Sequence, residues 1–184
     1  MLNIKETILE IINEQTEVDM SGVEVKFDDN IPHLAICKYN IYRESFSIFI
    51  NNVTEATEVI FNLKLIEENL NALFVFEKLI NKATKPFLKH VVLHELRHVW
   101  QTRYNKDLVI KSHNELINIS GYGSKPIEAD ANLYARSKAN NKFEAFVSDI
   151  FTYCQNMKDK AYITNKERFT GIKYILKLYS YAII

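Results

Sequence analysis

The chain has 184 residues, 47% of them apolar and 25% charged, enough for one packed core and short for two ordinary domains. Its 23 lysines and arginines balance 23 acids, so no long-range field gathers nucleic acid or an anionic membrane, and neither partner is expected. Four glycines, three prolines and no repeat exclude collagen-like, disordered and solenoid chains.

In chain order, Leu2, Ile4, Ile8, Leu9, Ile11 and Ile12 recur at helical spacing, predicting an amphipathic helix over residues 2 to 14 that stops at Ser21-Gly22. Glu6, Glu10 and Glu14 interrupt its apolar residues, unlike a signal peptide. Val23, Val25 and Phe27 alternate with charged residues; Leu34 to Tyr39 and Phe46 to Ile50 follow as further strands. Residues 23 to 50 therefore read as an antiparallel meander whose last strand is an edge. The alternation from Val59 to Leu65 favours another strand but runs into the apolar stretch Ile66 to Ile80, which reads as a buried helix. Thr84 is placed as an N-cap, with Pro86 in the first turn of a helix running to about Tyr104. The polar segment from Asn105 to Ser124 ends in Gly121-Tyr122-Gly123 and reads as a loop. Pro126 then opens a helix to about Ala139, and Phe143 to Met157 and Glu167 to Tyr181 complete a helical second half. The tail from Ile172, broken by Lys173 and Lys177, is too short for the roughly 20 residues of a membrane span. Cys37 and Cys154, far apart in apolar surroundings, suit buried thiols in a reducing compartment, so a cytoplasmic location is expected.

The chemistry is concentrated in His94-Glu95-Leu96-Arg97-His98, a match to the His-Glu-x-x-His pattern of zinc hydrolases. Four residues make about one helical turn, so both imidazoles leave one face of the helix about 6 Å apart along its axis, near enough to share an ion. Glu95 lies about 100° around the helix, beside the metal, where it can take a proton from activated water. Zinc suits such a site because it is redox-inert, accepts neutral imidazole and brings the pKa of water near neutrality. A third ligand is needed, and the helix opening at Pro126 offers Glu128, with Asn132 one turn later on the same face. Asp130, about 200° from Glu128 on that helix, is the first alternative. His113 is the second, as a three-histidine site, although a solvated loop histidine is the plainer reading. Gln101 falls on the stripe of His94 and His98, where it can support a histidine, meet substrate or simply face solvent. Tyr122 between its glycines is either an oxyanion donor or a loop anchor. Tyr134 and Trp100 read as core, and Arg97 and Arg103 as surface charges.

HELRHVWQ at 94 to 101 with EADANLYA at 128 to 135 resembles the glutamate-type zincin metallopeptidases, and is similar to small intracellular proteins of the ImmA/IrrE and mobile-element kind. The resemblance covers about 50 residues from the active helix onward; the first 80 carry no part of it. It implies a single α+β zincin-like domain over residues 1 to 184, with a small antiparallel sheet packed on a mainly helical C-terminal part. It also implies His94, His98 and Glu128 as zinc ligands and Glu95 as general base and acid. Asn132, where many relatives carry Asp, would support the site from behind. The implied function is a zinc-dependent peptidase acting on a protein or peptide substrate. The competing reading, from a different class, is a zincin-like interaction module that binds a protein partner and cuts nothing.

Overall fold

The computed structural model describes residues 3–45, 47, 49–73, 77–115 and 126–158. The expected helix at 167–181, Tyr122 and the side chain of Cys154 lie outside the described residues.

Helix α1 (Ile4–Glu14) starts at Asn3, whose side chain accepts from the Glu6 N–H at 3.3 Å, and buries Ile8, Ile11 and Ile12. It stops well before Ser21-Gly22. Gly22, at φ 73°, instead turns the chain into the first strand. The strands are β1 (Glu24–Phe27), β2 (Ala35–Lys38), β3 (Ile41–Arg43), β4 (Ile50–Val53) and β5 (Glu58–Phe61). They do not form the expected antiparallel meander. Strand β5 enters between β1 and β2, parallel to the first and antiparallel to the second, so this sheet is mixed. The physical reason is burial: Val59, Ile60 and Phe61 are all buried, as a central strand requires, whereas β1 and β2 are only partly covered and take the edges. Alternation marks a strand without naming its partner. Glu58 fixes the register from the centre, meeting Lys26 at 2.7 Å and Lys38 at 3.2 Å on the flanking strands.

β3 and β4 form a separate antiparallel hairpin. The strand expected over Phe46 to Ile50 begins only at Ile50; Phe46 and Ile48 lie outside the described residues. Asn114 closes the free side of β4 there, accepting from the Ile50 N–H at 2.7 Å and donating to its carbonyl at 2.8 Å. An extended peptide therefore finds no edge at Ile50.

Asn62 resolves the boundary between strand and helix. Its side-chain oxygen accepts from the Leu65 N–H at 2.7 Å and caps α2 (Leu63–Leu73). Helix α3 (Glu77–Tyr104) is 28 residues long and starts eight residues earlier than the sequence suggests. Thr84 is not a cap; its hydroxyl donates to the Ile80 carbonyl one turn back, at 2.7 Å. Pro86 sits inside the helix, leaving the Lys82 carbonyl without its N–H donor. Leu79, Ile80 and the fully buried Ala83 pack into the core upstream of it, which outweighs the local penalty. The segment expected as a polar loop is helical in its first half, α4 (Lys106–Glu115), which buries Val109 and Ser112. Helix α5 (Pro126–Ser137) opens on its proline as expected. Helix α6 (Lys142–Lys158) is capped by Asn141, which accepts from the N–H groups of Phe143 and Glu144 at 3.0 Å.

The architecture is α+β, with the small sheets in the N-terminal part and helices after them. α3 is its axis, packing against α1, α2, α4, α5, α6 and β2. A second, smaller core of Ile50, Val53, Val109 and Ile127 joins β4 to α4 and α5. Among the described residues no helix is long and apolar enough to cross a membrane. Phe87, fully buried on α3, meets Phe151 of α6 edge-on with ring centroids 5.2 Å apart. Phe87→Ala is expected to lower the unfolding free energy by about 3–5 kcal/mol in urea titration, because it empties the seam between these helices.

Candidate metal centre

Three imidazoles, His90, His94 and His98, stand at four-residue spacing on α3, and the pair nearer its C-terminal end meets Glu128 of α5. His94 Nε2 lies 3.1 Å from Glu128 Oε2, His98 Nε2 lies 3.1 Å from His94 Nε2, and His98 Nε2 lies 3.6 Å from Glu128 Oε1. Ligands 2.0–2.1 Å from a tetrahedral ion stand roughly 3.3 Å apart, so these separations match the edges of one coordination polyhedron. Two imidazole nitrogens and one carboxylate, with no fourth His, Cys, Asp or Glu donor in the group among the described residues, form a donor set that leaves a fourth position open. They fit a divalent cation of zinc's preferences.

Burial alone would raise the Glu128 carboxyl, but the His98 charge and hydrogen bonds from both imidazoles hold it well below the usual carboxylate range. Burial alone would lower His98; the charge and hydrogen bond of Glu128, the field of Glu95 and the bond to Gln101 bring it to about 9. Glu95 is 8% exposed, and desolvation raises its carboxyl despite the nearby histidines. Among the described residues nothing hydrogen-bonds the Glu95 carboxylate.

Behind the ligands stand two carboxamides. Asn132 Oδ1 faces His94 Nδ1 at 3.0 Å, which confirms its placement one turn beyond Glu128. Gln101 Oε1 faces His98 Nδ1 at 2.7 Å, and the side chain is fully buried, so the solvated and substrate-facing readings are set aside. Asp130 does not turn toward the ligands. Arg97 holds it by two hydrogen bonds, Nε at 2.7 Å and Nη2 at 3.2 Å, and this is why it stays outside the cluster. His113 is neither ligand nor solvated loop residue: it lies on α4, where its Nδ1–H donates to the Val109 carbonyl at 2.9 Å, leaving Nε2 to accept from the Tyr39 hydroxyl at 3.5 Å. Tyr39, on the β2 side, has its hydroxyl pushed up by burial and by the charges of Cys37, Glu128 and Glu95.

Other assignments shift too. Tyr134 is half-exposed, not core, and its hydroxyl donates to Glu17 at 3.2 Å. Arg97 stacks over Trp100 with its guanidinium 3.8 Å from the ring centroid, and Arg103 ties the end of α3 to Glu55, Asp19 and Ser21. Neither is a free surface charge. Cys37 is a free thiol, raised by burial.

Sequence reasoning missed His90, 2% exposed, whose Nε2 faces the same Asn132 oxygen at 3.3 Å and whose Nδ1 faces Ser148 Oγ at 2.6 Å. Desolvation brings it down to about 3, so the ring is neutral. The four-residue spacing that pairs His94 with His98 also reaches back to His90, and the signal was available.

Comparison with known proteins returns nothing: no family model, curated protein or solved structure matches the chain.

Two expectations follow from the geometry. Elemental analysis is expected to find about one metal ion per chain in wild type and none in Glu128→Ala, with Asp130→Ala still loading at saturating metal. A metal must also displace the proton that His98 holds in the metal-free cluster up to about pH 9. Affinity measured by chelator competition should accordingly rise about tenfold per pH unit from pH 7 toward 9 and flatten above it.

Proposed function

We propose that the protein is a zinc-dependent peptidase in which His94, His98 and Glu128 hold the ion and Glu95 moves protons. The observation that carries this reading is the juxtaposition of the three-ligand cluster with a buried carboxylate, Glu95, one residue along from His94 and with no hydrogen bond to it among the described residues. Zinc held there would supply Lewis acidity toward a carbonyl oxygen and lower the pKa of water toward neutrality. Desolvation, the same effect that raises the Glu95 carboxyl, makes its carboxylate a stronger base, so it accepts a proton from attacking water and returns it to the departing amine. His94 and His98 stay oriented through the Asn132 and Gln101 oxygens behind them. The choice of a peptide bond over other hydrolysable bonds rests on the likeness of HELRHVWQ and EADANLYA to zincin metallopeptidases.

Glu95→Gln keeps the shape of the side chain and removes the base. Zinc content should stay at about one ion per chain while cleavage of a peptide library falls about 10²–10⁴-fold. Full cleavage by that variant overturns the role given to Glu95. Failure of zinc-loaded wild type to cut any peptide overturns the peptidase.

A further inference from the structure

Given the proposed metal site, on which this step rests, the hydrogen bond behind His98 decides whether that residue can be a ligand at all. A neutral imidazole binds a metal through Nε2 only when its hydrogen sits on Nδ1, and that hydrogen needs an acceptor. Gln101 Oε1 is the acceptor, at 2.7 Å. A carboxamide, however, carries an acceptor and a donor of nearly equal size. Turned the other way, the Gln101 amide would present N–H to Nδ1, drive the hydrogen to Nε2 and block coordination.

Helix α5 forbids that turn. Gln101 Nε2 donates to the Ile127 carbonyl at 3.0 Å and to Asp130 Oδ2 at 2.7 Å. A flipped amide would set its oxygen against a carbonyl and a carboxylate, and at 0% exposure no water reaches it to compensate. Asp130 is itself aimed by the two bonds from Arg97, whose guanidinium is braced against Trp100. Arg97 and Gln101 belong to α3, Ile127 and Asp130 to α5. The docking that delivers Glu128 therefore also sets the hydrogen on its partner ligand.

We propose that Gln101, locked by the Ile127 carbonyl and the Asp130–Arg97 pair, is a positioning residue that holds His98 in the tautomer able to bind a metal through Nε2.

The test is zinc affinity by chromophoric chelator competition for wild type, Gln101→Met, Asp130→Ala and the double variant. Melting curves of the metal-free proteins and visible spectra of the Co²⁺-loaded ones accompany it. Gln101→Met should weaken zinc about 10–100-fold and alter the cobalt spectrum. Asp130→Ala should weaken zinc about three- to tenfold, and should add less than about twofold in the Gln101→Met background, because it acts only through Gln101. A merely structural ion pair would give the same loss in both backgrounds. Asp130, on the partly exposed rim, keeps the claim testable if Gln101→Met does not fold, since unchanged zinc affinity in Asp130→Ala overturns the lock. Equal affinity in wild type and Gln101→Met, or fully additive losses, overturn it as well while leaving the metal site intact. Wild type that takes up neither zinc nor cobalt removes the metal site and the lock together.

Discussion

The docking of α5 on α3 is the contact from which the rest of the centre derives. The apolar residues of α3 lie in the main core and Ile127 of α5 in the smaller one, and the polar residues between the two helices are placed by that packing. Along α5, Glu128 and Asn132 share a face and meet the histidines, while Asp130, about 200° away from Glu128, is reached from α3 by the long side chains of Arg97 and Gln101. Helix α5 thus meets His94 twice, in front through Glu128 and behind through Asn132, and meets His98 directly only through Glu128, the group behind His98 being Gln101 of α3. Sliding α5 by a single residue would lose all of these partners together.

The seam concentrates polar groups where the dielectric is low, which is costly unless each is satisfied. His90, Asn132 and Ser148 are linked to one another, and Gln101 is engaged by His98, the Ile127 carbonyl and Asp130. The closely opposed Nε2 atoms of His94 and His98 converge on a single carboxylate, an arrangement suited to a divalent cation. Glu95 is the exception, carrying no such partner among the described residues. A buried carboxyl raised by desolvation beside a ligand cluster marks a candidate functional group.

Much of the centre was legible because helical spacing is rigid: four residues separate His94 from His98 and Glu128 from Asn132 in any α-helix, whatever surrounds it. The same rigidity says that Glu128 and Asp130 cannot both face one ion, while the preference for Glu128 came from the likeness of EADANLYA to the zincin motif. What spacing cannot convey is tertiary partnership. Thr84-Lys85-Pro86 carries the local marks of a helix start, yet the burial of Ala83 carries the helix through it. Lys106 to Glu115 is too polar to show a stripe and is helical because Val109 and Ser112 are covered. The alternation at Val23 to Phe27 and the apolar run at Leu34 to Tyr39 identify two strands and are silent on the third that separates them. His113 looked solvated because nothing near it in sequence announces Tyr39, 74 residues away.

The placement of β5 has a consequence for the order in which the molecule assembles. β1 and β2 are adjacent in the chain but share no ladder, so each waits for residues 58–61 before its backbone groups find partners. During synthesis the first 57 residues emerge with two unpaired ribbons, and the sheet can close only when the segment destined for its middle leaves the ribosome.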